Sequence, residues 1–308
     1  MRHSVRSVIA TAILTTSLSP LVARATTPPP QCVVSLSPTA TETLFAIGAG
    51  SQVKAVDRDS NFPAGRLPAT RIDALNPSVE AVAGVCPRRQ GVTAKPDLVI
   101  VAYDTNNIVT NLRALGIRVI EQDAATSVAD ALSQIRQLGT ATGHAAAAQR
   151  LAANLQRDIN TSIASVTAAA RRTKVAPSSI SVYYELDPTL YSLTSGTFVG
   201  SLLSSLGVTN IADAVATEGD YGYPQLSREY IVSASPKVIF LADTKCCSVN
   251  ATMVAKRTGF GSVRAVVAHH VVALDDDVAS RWGPRLGTLM RQVAVAINRA
   301  LAQKSWSK

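Results

Sequence analysis

The chain has 308 residues, of which 47% are apolar and only 5% aromatic, and a formal net charge of +9. That is ample material for a large core built from small side chains. The basic excess does not indicate nucleic acid, because the positive residues fall in scattered pairs such as Arg88/Arg89 and Arg171/Arg172, without an aromatic-interleaved patch or a nucleic-acid motif.

Residues 1–25 place Arg2 and Arg6 before an apolar stretch that ends at the small-x-small triplet Ala23-Arg24-Ala25. This is the pattern of a secretory signal peptide. Cleavage near Ala25 removes Arg2, Arg6 and Arg24 and lowers the charge from +9 to +6. No lipid-attachment cysteine closes the apolar stretch, and no later segment approaches the roughly 18 uninterrupted apolar residues of a membrane span. The expectation is a soluble chain exported to the periplasm or cell envelope.

Along residues 32–126 strand and helix patterns alternate: "CVVSLS", "TATETLFAIGAG", "QVKAVD", "NPSVEAVAG", "DLVIVAY", "NIVTNLRALG" and "RVIEQD". Val/Ile runs feeding Gly- or Pro-punctuated helices predict a parallel sheet covered on both faces. Residues 127–174 read as a linker helix region, broken near "GTATGH", whose second part is Ala-rich, proline-free and apolar at helical spacing. From residue 175 to 308 the alternation resumes with "ISVYYEL", "TFVGSLLSSLG", "YIVSASP", "KVIFLAD", "VVALDDD" and a closing helix. The predicted class is α/β: two Rossmann-like lobes with mainly parallel sheets, joined by a single long linker helix, with a ligand cleft at the carboxyl ends of the strands.

Export makes the four cysteines oxidisable, and four allow three pairings. Cys32 starts the strand "CVVSLS", and Cys86 lies in the insertion leading to "KPDLVIVAY". If those strands are parallel neighbours, both cysteines lie at one sheet edge, so a Cys32–Cys86 disulfide is expected. Cys246 and Cys247, beyond "KVIFLAD", are then left as a vicinal disulfide or as two thiols.

The strand ends nominate the ligand-binding residues. They are Asp57, Arg58 and Asp59; Tyr103, Asp104 and Asn106; Tyr184, Glu185 and Asp187; and, from the second half, Tyr191, Tyr221, Tyr223, Pro224, Cys246, Cys247, Arg281 and Trp282. Tyrosine offers a flat face to a large ligand and a hydroxyl to its polar fringe. No metal site is expected, because His144, His269 and His270 do not stand at ligand spacing. Neither a nucleophile elbow nor a phosphate-binding loop occurs, so the chain reads as a non-enzyme without a resident cofactor. The acidic run Asp275–Asp277 reads as a capping loop that pairs with Arg281 or Arg285.

The blocks "VVSLSPTATETLFAIGAG", "NPSVEAVAG" before "KPDLVI", "LYSLTSGTFVGSLLSSLGVTNIA", "YPQLSREYI", "SPKVIFLAD" and "SRWGPRL" follow one another across residues 33–302. In content and order they resemble the class III periplasmic binding proteins of iron-complex and vitamin B12 importers. The resemblance implies a monomeric substrate-binding protein that captures a cobalamin, other corrinoid or iron chelate and hands it to an ABC permease with its ATPase. It also implies permease docking through one glutamate on each lobe, at positions matched by Glu80 and Glu229. "VVSLSPTATETLF", "YGYPQ" and "SRWGPR" look closer to the cobalamin branch. A ferric siderophore or haem is the alternative ligand, and an envelope sensor or scaffold that transports nothing is the alternative role. Siderophores with catecholates or carboxylates would want several cleft arginines, for which only Arg58, Arg281 and Arg285 stand available.

Overall fold

A computed structural model describes residues 28–89, 92–303 and 306; the expected signal peptide lies outside them. The first lobe runs β1 (Val33–Leu36), α1 (Pro38–Ala46), β2 (Val53–Asp57), β3 (Arg71–Ile72), α2 (Val79–Ala83), a hairpin of β4 (Arg88–Arg89) and β5 (Val92–Thr93), β6 (Leu98–Val101), α3 (Ile108–Ala114), β7 (Val119–Glu121) and α4 (Val128–Thr142). After α5 (Ala145–Thr173) the second lobe runs β8 (Ser181–Glu185), α6 (Phe198–Ser205), β9 (Thr209–Asn210), α7 (Arg228–Ala234), β10 (Val238–Leu241), α8 (Ala251–Lys256), α9 (Arg264–Val267), β11 (Val271–Ala273), α10 (Asp276–Ser280) and α11 (Leu286–Ala302).

The sheets are β3-β2-β1-β6-β7 and β11-β10-β8-β9, and every pairing in them is parallel. The apolar runs VVSL, LVIV and VIFL are buried at every position, as central parallel strands with covered faces must be. Ser37, Ser127 and Thr197 open α1, α4 and α6 by accepting the backbone N–H three residues on, which supplies one of the amide partners a helix start lacks.

The break read at "GTATGH" falls at Gly143, a left-handed cap with φ 80°. It ends α4, so the connection between lobes is α5 alone. At 29 residues α5 is about 43 Å long. Its buried side chains are Ala148, Ala152, Leu155, Ile159, Ser162, Val166 and Ala169, alternating steps of four and three that draw one stripe along the helix. Alanines in that stripe let neighbours come close: a Cβ on Gly139 of α4 would stand 2.2 Å from Cβ of Ala148. The helix packs against α4 and α11. Through it one apolar cluster runs without a gap from Val33 and Leu44 in the first lobe to Phe240 and Ile297 in the second. Each lobe has a further cluster on the other face of its sheet.

Cys32 and Cys86 form the expected disulfide across the first sheet's edge, with Cα atoms 6.1 Å apart. Cys246 is paired with Cys247.

Candidate ligand-binding cleft

A cavity of about 770 Å³ opens between the lobes beyond the carboxyl ends of β7, β8 and β10. The first lobe contributes Ala124, Ala125 and Thr126; the second contributes Leu186 and Ala242 after its strands, residues of the turn leading into α6 (Leu193, Thr194 and Gly196 to Val199), Tyr221–Tyr223, Cys246, Asp276, Ala279, Ser280 and Trp282. The wall is chiefly aliphatic and aromatic. Gly222 sits between the two tyrosines at φ 87°, where a Cβ would meet Cγ2 of Thr197 at 2.9 Å. A side chain there would be both strained and crowded, so glycine lets the tyrosine pair close on the α6 turn.

Of the residues nominated from sequence, Tyr221, Tyr223, Trp282 and Cys246 line this cavity. Trp282 is oriented by its indole N–H, which donates to Oε1 of Gln134 on α4 at 2.9 Å.

The remaining nominations lie elsewhere. Tyr184 and Glu185 are fully buried, because β8 lies between β10 and β9 with both faces covered. The Tyr184 hydroxyl donates to the carbonyl of Ala279 at 3.2 Å, and burial pushes its phenol above the ordinary range. Glu185 binds Arg257 through two bonds of 2.6 Å. Asp57 is also buried and accepts the N–H groups of Asp59 and Ser60 and the Ser60 hydroxyl. Burial raises its carboxyl, and those bonds offset only part of the rise. Asp59, Tyr103 and Asp104 are exposed away from the cavity, and Asp104 accepts the N–H of Val109 at the start of α3. Tyr191 is 40% exposed and bridges Gln225 as an isolated strand contact.

Arg281 does not face the cavity. It ties the lobes together, donating to Glu42 Oε1 at 2.7 Å, Asn61 Oδ1 at 2.9 Å and the Asp59 carbonyl at 3.0 Å, and to Asp277 at 2.7 Å on its own side. Arg285 joins it on Glu42 and lies 4.6 Å over the Phe62 ring. Arg58 pairs with Asp73 on the surface. All three arginines that sequence offered for an anionic ligand are therefore held by carboxylates.

Sequence reading missed Glu42, the α6 turn from Thr194 to Val199, and Asp276. The acidic run does cap and pair, with Asp275 accepting the N–H groups of Asp277 and Val278 at the start of α10. Asp276 does more, accepting the backbone N–H groups of Thr244, Lys245 and Cys246, and so fixes the cysteine loop at the cavity's edge. Lys245 reaches over to Asp275 and Asp277 at 2.7 and 2.8 Å.

The docking candidates are built alike. Glu80 and Glu229 are exposed in the first turns of α2 and α7, each two residues after a serine N-cap, Ser78 and Ser227. The Ser78 hydroxyl donates to Glu80 at 2.8 Å, and the helix-start backbone N–H and that hydroxyl hold the Glu80 carboxyl below its ordinary range.

Two parallel α/β lobes joined along one helix, with a cavity between their strand ends, define a bilobal binding protein. Residues 33–278 match the family model for periplasmic binding protein, and the chain belongs to that family. A cobalamin-binding protein of Halobacterium salinarum is 30% identical over 275 residues, which is 87% of this chain and 70% of that protein. An ABC transporter substrate-binding lipoprotein of Bacillus subtilis is 27% identical over 274 residues, 87% of this chain and 80% of its own length. Among solved structures, the periplasmic vitamin B12 binding protein of Vibrio cholerae superposes with a TM-score of 0.70 at 22% identity, covering 89% of this chain and 99% of that one. The apo periplasmic heme-binding protein of Roseiflexus gives 0.69 at 24%, covering 88% and 99%. No helix among the described residues is long and apolar enough to cross a membrane.

Proposed function

We propose that this protein is the exported substrate-binding component of an ABC importer, that it takes a corrinoid into the inter-lobe cavity, and that it delivers it chemically unaltered to a permease and its ATPase. The observation that carries the ligand class is the charge of the cavity. Among the described residues no lysine, arginine or histidine lines it, and the one carboxylate there, Asp276, is occupied by backbone amides. A catecholate siderophore or the propionates of haem would enter without a cationic partner, and burying such a charge unpaired is costly. A corrin ring fringed with neutral amides carries no such penalty and suits a wall of Phe198, Trp282, Tyr221 and Tyr223. The cobalamin-binding relative supports the same reading. Haem is the second reading, favoured by the two rim tyrosines, since a phenolate can hold ferric haem iron.

The deciding experiment titrates the purified protein with cyanocobalamin, haemin and a ferric tricatecholate, by calorimetry and by tryptophan fluorescence. One-to-one binding of cyanocobalamin with quenching that disappears in Trp282→Phe is the expected result. Preference for haemin or the tricatecholate overturns the ligand class, and binding of none of them overturns the transport role in favour of an envelope sensor or scaffold.

A further inference from the structure

The two disulfides differ in what they can do for the fold. A disulfide stabilises chiefly by restricting the unfolded chain, in proportion to the logarithm of the loop it closes. Cys32–Cys86 spans 54 positions and is buried at both ends. Cys246–Cys247 spans one, closes no chain loop, and is exposed at both residues. Stability therefore explains the first and leaves the second without a purpose in the core.

Its position supplies one. Cys246 lies on the cavity wall together with Trp282, Tyr221 and Phe198. The backbone before the sulfurs is fixed from below, because three successive N–H groups, of Thr244, Lys245 and Cys246, converge on the Asp276 carboxylate at 2.8 to 3.0 Å. The Thr244 hydroxyl also donates to the Leu274 carbonyl at 2.6 Å. A surface loop held by that many bonds is presented in one conformation, and preorganisation of a contact lowers the entropy lost when a ligand seats on it.

We propose that the Cys246–Cys247 disulfide is a ligand-contacting element of the cleft: a rigid, polarizable sulfur face against which the bound macrocycle packs. This rests on the corrinoid reading above and adds to it a named contact and a dependence on oxidation state. Being exposed, the pair is open to small dithiols. A dithiol reductant gives it two electrons and two protons, leaves as its own cyclic disulfide, and releases Cys246 and Cys247 as two independently rotating thiols. The buried Cys32–Cys86 bond is shielded from the same reagent. Reduction thus converts one fixed contact into two mobile, weakly polar groups.

The test compares the parent protein with Cys246→Ser/Cys247→Ser, and with the parent after mild dithiothreitol treatment checked by alkylation and mass mapping for loss of the 246–247 bond only. Cyanocobalamin affinity should fall about tenfold in the double serine variant and in the reduced parent alike, while the melting temperature of the ligand-free protein stays within about 2 °C of the parent. A parent that binds while the variant binds equally well sinks this inference and leaves the corrinoid reading standing. A fall of many degrees in melting temperature would make the pair a structural staple and sink it as well. A parent that binds no cyanocobalamin removes the corrinoid reading and the contact together.

Discussion

Arg285 of the second lobe lies against Glu42 of the first, Nε to Oε2 at 2.8 Å and Nη2 to Oε1 at 2.5 Å. Arg281 binds the same carboxylate, whose side chain is only 1% exposed. Removing one member of a buried ionic cluster strands the others, a loss of about 3 kcal/mol or more. Glu42→Ala should therefore lower the melting temperature by at least about 6 °C for a chain of this size. Glu42→Ala combined with Arg281→Met and Arg285→Met should recover much of that loss, since apolar replacement of a whole cluster is often neutral. A single variant that melts like the parent would show the clamp to be dispensable.

The Cys32–Cys86 bond closes a loop of 54 positions, for which chain entropy gives about 4 kcal/mol. Cys32→Ser/Cys86→Ser should accordingly unfold at much lower temperature or denaturant than the parent. A urea midpoint unchanged at equal slope would contradict the entropic account.

The fold was legible because its signals are local. Val33–Leu36, Leu98–Val101 and Val238–Leu241 carry their burial in their composition, and Gly143 punctuates α4 as its sequence context indicates. The site was less legible because a polar residue near a strand end points in a direction that only packing decides. Asp57 turns inward to bind Ser60, and Glu185 pairs with Arg257, seventy-two positions away. Tyr221 and Tyr223 flank a glycine in a loop, a local cue that did identify wall residues. Glu42 sits in α1, which is buried at every position from Thr39 to Leu44, and its purpose emerges only with arginines that arrive 239 and 243 positions later.

Behind the cysteine loop Asp243 is fully buried beside the Glu185 carboxylate. Burial, then the neighbouring Glu185 carboxylate, push it up to about 7, with Arg257 pulling the other way. Its folded value stands above its unfolded one, so the folded protein holds a proton that the unfolded chain has already released. That contribution to stability is complete below the ordinary aspartate range and is lost as pH rises toward 7. Asp243→Asn should melt above the parent at pH 8, with the gap narrowing toward pH 5. A gap independent of pH would rule out Asp243 as the titrating group.

Glu80 and Glu229, one on each lobe, stand exposed and away from the cavity wall. In the importer reading they carry docking, and separated charges on a stiff body favour oriented encounter. Glu80→Lys/Glu229→Lys should leave cyanocobalamin affinity within about twofold and abolish uptake in cells that depend on the vitamin. A parallel loss of affinity would assign both residues to ligand capture instead.

The apolar cluster that runs from β1 through α5 into α11 cannot be parted without wetting it, so motion between the lobes is confined to small adjustments. In the importer reading, a permease would then meet almost the same outline whether the cleft is full or empty. Cargo and vacancy would compete for one berth, and the empty form would hold back the importer it serves. Uptake should rise with abundance of the binding protein only while ligand is plentiful, and fall once surplus empty copies crowd the membrane.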